Sequence, residues 1–157
     1  MNSSILIALI PLFVGLITQA TKFAIYSFRH GLNWSYILTH GHMPSTHSAF
    51  ATSLLVSVAD LEGIGSGVFA VSVALAIIIL DDALRLRMYL GDQGRYLNML
   101  VQSLNLDTKK YPRLKERVGH RTSEVIVGIF YGLAWSLLFV SIFDPEWISH
   151  LQKNLGM

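Results

Sequence analysis

The stretch GHMPSTHSAFATSLLVSVA, Gly41 to Ala59, sets a turn, a proline, three hydroxyl residues and two histidines in front of an apolar run. Pro44 does not fit deep inside a helix but suits its first turn. Ser45 and Thr46 are natural partners for the N–H groups that a helix start leaves without intrahelical acceptors. The run that follows reads as an apolar helix to about Ala59. His47 therefore falls in its first turn, where N–H groups and the positive dipole end gather. Such a terminus is an anion site, with phosphate the usual anion. An imidazole beside a bound phosphate suits proton transfer to a leaving oxygen.

The rest of the chain says what surrounds that helix. It has 157 residues, 52% of them hydrophobic and 14% charged, with a mean hydropathy of +0.49. That is too apolar for an ordinary soluble domain and points to a single membrane-embedded domain over residues 1–157. There is no cysteine, so neither a disulfide framework nor a thiolate metal site is available. Nothing in the pattern points to nucleic acid.

Ser4 to Phe28 is long enough to cross a bilayer and reads as a retained span. Pro11 and Gly15 mark places for a kink, and Gly31 is a stop signal. Lys22 lies near its end, either snorkelling to headgroups or serving a site. Arg29 follows seven residues later, on the same helical face. The apolar run after Pro44 is short for a full span. Gly65 to Leu80 reads as a third span that stops at DDALRLR, where Asp81, Asp82, Arg85 and Arg87 appear together. Tyr89 to Asn105 reads as an amphipathic segment. LDTKKYPRLKERVGHRT is the one strongly hydrophilic block, in which Pro112 is expected to start a short helix ending near Gly119. Ser123 to Phe143 is the last span. The expected fold is therefore all-α: about four transmembrane helices, with amphipathic or short helices in a large basic loop.

Four spans put both termini on one side. Of the twelve Lys and Arg residues only Lys153 lies there. The positive-inside rule then makes the opposite side cytoplasmic, in a bacterial-type inner membrane. The polar groups Lys22, Arg29, Ser45, Thr46, His47, Asp82, Arg85, Arg87, His120 and Glu124 share that side. There they are expected to build one pocket at the membrane surface. Glu124, in the first turn of the last helix, is within reach of His120. A carboxylate there fixes one imidazole tautomer and leaves the other nitrogen for attack. Lys and Arg neutralise phosphate. His120–Glu124 also fits a surface pair, and Asp82 with Arg85 or Arg87 fits a structural ion pair. Asp81, Asp82, His120 and Glu124 match no defensible metal spacing. KKYPRLKER suits lipid headgroups or membrane orientation.

MPSTHSA, with QATK before it and GHRTSEV after it, resembles the divergent branch of the type 2 phosphatidic acid phosphatase family. That family is related to vanadium-dependent haloperoxidases. DDALRLRMYLGDQGRYLN is similar to the branch pattern DAxGVRRxxGxQAxxLN, so the likeness runs from Gln19 to Gly128. It implies a phosphatase without metal or other cofactor that works through a phosphohistidine. Carried over by position, Lys22, Arg29 and Arg87 would bind phosphate. PSTH, Pro44 to His47, would stand for the family's PSGH, with His47 the general acid. His120 would be the nucleophile, with Glu124 as its acid partner. The chain departs at Thr46, where the family has glycine, and at Leu114, where the wider family has an arginine. Arg87, Arg113 and Arg117 are the candidates to replace that arginine.

The expected activity is hydrolysis of lipid phosphates or pyrophosphates in contact with membrane lipids, compatible with a homo-oligomer. The alternatives are a lipid-phosphate transporter or flippase, which needs the pocket without the nucleophile, and an inactive phosphate-binding membrane protein.

Overall fold

A computed structural model of the chain describes residues 3–34, 43–116 and 118–143. The helices are α1 (Ser3–His30), α2 (Thr46–Leu61), α3 (Gly67–Asp81), α4 (Arg87–Ser103) and α5 (Thr122–Phe143). A π-helical turn, Asp82–Leu86, joins α3 to α4. No strand occurs among the described residues, and the all-α expectation holds.

Besides Pro11, the buried positions of α1 are Leu6, Ile10, Val14, Thr18 and Lys22. They recur every fourth residue, the spacing of one helical face. Lys22 thus takes the last place on the stripe that packs inward. At 8% exposure it faces the bundle rather than snorkelling outward. In α5 the buried stripe is Val125, Gly128, Gly132, Ser136 and Val140. The buried residues of α2 are mostly small: Ser48, Ala49, Ala51, Ser53 and Ser57 among them. This helix packs against α1, α3 and α5. Its small side chains let three neighbours approach it closely.

Three helical stretches are long and apolar enough to cross a membrane: Ser4–His30, Gly67–Ser103 and Thr122–Phe143. With 16 residues, α2 is about 24 Å long and falls short of the roughly 30 Å hydrocarbon core. It is the centre of the bundle, wrapped by the longer helices.

Two expectations from sequence are corrected. The helix does not stop at DDALRLR; it runs on from Gly67 to Ser103 through the π turn. The charges that read as a break are paired along it, Arg85 with Asp81 and Arg87 with Asp82. Nor does a helix follow Pro112. The segment from Pro112 to Glu116 is a non-helical strap along α4. The Asn98 side chain accepts the Leu114 N–H at 2.9 Å and donates to the Leu114 carbonyl at 3.0 Å. Gly91 and Gly94 lie directly under the strap. A Cβ on Gly91 would come 2.5 Å from the Glu116 carbonyl oxygen, and one on Gly94 would come 2.7 Å from that of Lys115.

Candidate active site

Ser45 is the N-cap of α2. Its backbone is extended (φ −69°, ψ 116°) and its Oγ accepts the Ser48 N–H. The Ser48 hydroxyl also donates to Ser45 Oγ at 2.9 Å. The Ser45 hydroxyl oxygen is therefore used inside the fold. The part of this terminus turned outward is the first turn, Thr46 and His47, both half-buried. The Thr46 hydroxyl donates to Gln19 Oε1 at 3.1 Å, which ties α1 to the start of α2 one turn before Lys22.

The start of α5 is fastened to the same place. The Ser45 N–H donates to the Glu124 carbonyl at 3.1 Å. A Cβ on Gly128 would meet the Ser45 carbonyl oxygen at 2.6 Å, and one on Gly132 would meet Ala49 Cα at 2.7 Å. The two helices touch backbone to backbone because Gly128 and Gly132 carry no side chain. Thr21 and Tyr131, 2.6 Å apart through their hydroxyls, close the α1–α5 side.

His120 arrives from the third direction. It is buried, and its backbone N–H donates to the Ala83 carbonyl in the π turn at 3.1 Å. Gly119 precedes it with φ +102°, a region that side chains rarely adopt. A Cβ there would lie 3.2 Å from both Arg87 Cβ and Met88 N. His120 is therefore held against the π turn and the first residues of α4. Its ring meets the His47 ring edge-on, with centroids 5.7 Å apart and planes at 75°.

The charged groups divide into those beside this pair and those away from it. Lys22 lies within electrostatic range of Glu124. The Glu124 carboxylate accepts the Arg121 N–H at 3.3 Å, capping the first turn of α5. Arg87 is part-buried next to Gly119 and donates from Nε to Asp82 Oδ2 at 2.7 Å. Arg85 is exposed and turned to Asp81. Arg29 is exposed in the last turn of α1, about 10 Å beyond Lys22 along the axis. Arg113 is exposed and paired with Glu116 at 2.9 Å. Arg117, Gly41 and His42 lie outside the described residues. Among the arginines considered for the place of Leu114, Arg87 is the one beside the His120 loop.

No group of three His, Asp or Glu side chains among the described residues stands close enough to hold a metal ion. Sequence reasoning missed Gln19, the Thr21–Tyr131 pair, Gly119 and Asn98. It also missed the small-residue series Gly128, Gly132, Ser136. That last signal was readable, since a GxxxG repeat in an apolar helix marks a close helix contact.

The depth of the site follows from helix lengths. Ser4 to Lys22 and Glu124 to Phe143 each span about 27–29 Å of helix. That matches the hydrocarbon thickness, so a bilayer with one edge at Ser4 and Phe143 has its other edge at the level of Lys22 and Glu124.

A family model described as the Divergent PAP2 family matches residues 1–135, a range that contains every residue of this cluster. The uncharacterized membrane protein YuiD of Bacillus subtilis (strain 168) is 35% identical over 124 residues, covering 71% of this chain and 78% of the relative. No solved structure matches the chain. The apolar helices and the membrane-protein relative make this an integral membrane protein.

Proposed function

Because the chain belongs to the Divergent PAP2 family, we propose that it is a membrane phosphatase for lipid phosphates or diphosphates. The observation that carries the reading is the meeting of His47 and His120, 5.7 Å apart, at a helix start near the membrane boundary. Lys22, Arg87 and the first-turn amides of α2 bind the phosphate. A nitrogen of His120 attacks phosphorus and the bond to the lipid oxygen breaks. His47 gives its proton to that oxygen. His47 then takes a proton from water, which attacks the phosphohistidine and frees phosphate. Glu124 orients the His120 loop by accepting from the residue next to it, Arg121. Lys22 and Arg87 offset the charge that builds on the transferring group. The lipid tail stays in the bilayer. The charge bias among the loops supports a cytoplasmic-facing site in a bacterial-type inner membrane.

The test is phosphate release from a panel of lipid phosphates and diphosphates by purified protein in detergent with EDTA. Wild type should release phosphate, vanadate should inhibit it, and His120→Ala and His47→Ala should each lose at least a hundredfold. Equal release by His120→Ala sinks the nucleophile assignment. Headgroup binding without release in wild type would replace hydrolysis by transport or simple binding.

A further inference from the structure

One face of the α3–α4 helix has no partner among the described residues, and its spacing is that of a coiled coil. On α4 and its cap the exposed residues Leu86, Leu90, Gln93, Leu97, Leu100 and Leu104 follow a 4-3-4-3-4 alternation. Each of the five leucines is at least half exposed. On α3 the exposed Val68, Val71, Leu75 and Ile78 follow the same alternation. Eight residues rather than seven separate Ile78 from Leu86, and the π turn between them absorbs the extra one. The two runs, on either side of the π turn, together reach along about 54 Å of helix.

We propose that this stripe is the contact between two copies of the chain, packed in parallel about a two-fold axis along the membrane normal. Alternating 3 and 4 spacing is what two similar helices need to interlock their side chains. On α4 Gln93 is the one polar position of the stripe; in the π turn, where the alternation falls on the ion-paired Asp82 and the buried Ala83, the stripe is interrupted. A parallel, in-register pair sets Gln93 against the partner's Gln93, where an amide can both donate and accept. A polar residue at one seam position selects register and orientation. Beyond Arg87 the helix runs on for about 24 Å past the level of the candidate site.

Lipid is a poor occupant of that part. The strap bearing Lys109, Lys110, Arg113 and Lys115 leads to the Gly91, Gly94 and Asn98 face of α4, about a third of a turn from the leucine stripe. A second α4 covers the stripe and leaves the strap outside. Pairing would also steady the helix against which Gly119 and His120 are packed.

The chain has no cysteine, so single cysteines report the contact directly in native membranes. Mild oxidation of Leu86→Cys, Leu97→Cys and Leu100→Cys should give covalent dimers, because seam positions bring Cα atoms within disulfide reach. Asp92→Cys and Met99→Cys, exposed but off the stripe, should stay monomeric. In detergent, the double variant Leu97→Glu with Leu100→Glu should halve the protein mass seen by light scattering, while Met99→Glu leaves it unchanged. Cross-linking as strong at Met99→Cys as at Leu97→Cys overturns the proposal. So does no cross-link at any stripe position, including the case in which lipid shields Leu97→Cys from a soluble thiol reagent.

Discussion

Arg87 is joined to Asp82 twice: its backbone N–H donates to the Asp82 carbonyl, and its Nε donates to the Asp82 carboxylate at 2.7 Å. Both links span five residues, which an α-helix would not align and a π turn does. The π turn therefore aims this side chain, whose Cβ lies where Gly119 packs against α4.

Arg87→Lys keeps the charge but loses the planar fork that grips a carboxylate and a phosphate together. Phosphate release should fall on the order of tenfold to a hundredfold, about 1.4–2.8 kcal/mol of transition-state stabilisation. Arg85→Lys, at an exposed pair with Asp81, should change it less than twofold. Equal losses in the two variants would remove Arg87 from the phosphate site.

The contact of α5 with α2 depends on missing side chains. Gly132→Ala drives a methyl into the backbone of Ala49, and such overpacking costs about 1–3 kcal/mol. Thermal unfolding in detergent should drop by several degrees. Leu138→Ala, on the outer face of the same helix, should leave the midpoint nearly unchanged. A stable Gly132→Ala would mean that the helices separate without penalty.

Asn98 spends its whole amide on the strap, with the Leu114 N–H and carbonyl and the Glu116 carboxylate as partners. Asn98→Ala leaves those groups to water, a small loss of stability because Leu114 is exposed. Amide hydrogen exchange should quicken at Leu114 and on towards His120, with α1 and α5 unaffected. Unchanged exchange at Leu114 would refute the clamp.

The same clamp should loosen in acid. The Glu116 carboxyl is held below its ordinary value, first by the Asn98 amide and then by Arg113. A carboxylate with a lowered folded value contributes stability above its unfolded value, about 4.3. That contribution is lost as pH falls through the lower folded value. Strap exchange, corrected for intrinsic rates, should rise below about pH 4 in wild type. It should be flat with pH in Glu116→Gln. Acid-independent exchange in wild type would contradict the clamp's charge dependence.

Local signals carried the helices and the α2 start well. Ser45 caps α2 as its chemistry requires, and His47 follows in the first turn; Pro44, expected in that turn, stands one residue ahead of the cap instead. Non-local contacts defeated the rest. Pro112 followed by good helix formers reads as a helix, but the Leu114 backbone is claimed by Asn98, sixteen residues earlier. DDALRLR reads as a membrane exit because four charged residues follow an apolar run, even though its acids and arginines stand at pairing distance along a helix. Paired along a π turn, they let the helix continue. The inward aim of Lys22 was readable in the stripe Leu6, Ile10, Val14, Thr18. The link from Ser45 to the Glu124 carbonyl was not, since no residue type marks a backbone bond between distant segments.

Gly119 separates the site's geometry from its chemistry. It holds φ +102° with Arg87 and Met88 against it. Gly119→Ala adds a strained backbone conformation, about 1–2 kcal/mol, and a crowded contact. Neither of the two histidines is altered. The chain should still fold and bind to membranes, while phosphate release falls at least tenfold because His120 no longer meets His47 at the same distance. Gly65→Ala, with open space around its Cβ position, is the matching control. Full activity in Gly119→Ala would show that the 5.7 Å approach of the rings tolerates movement, and the paired-histidine mechanism would then lose its geometric support.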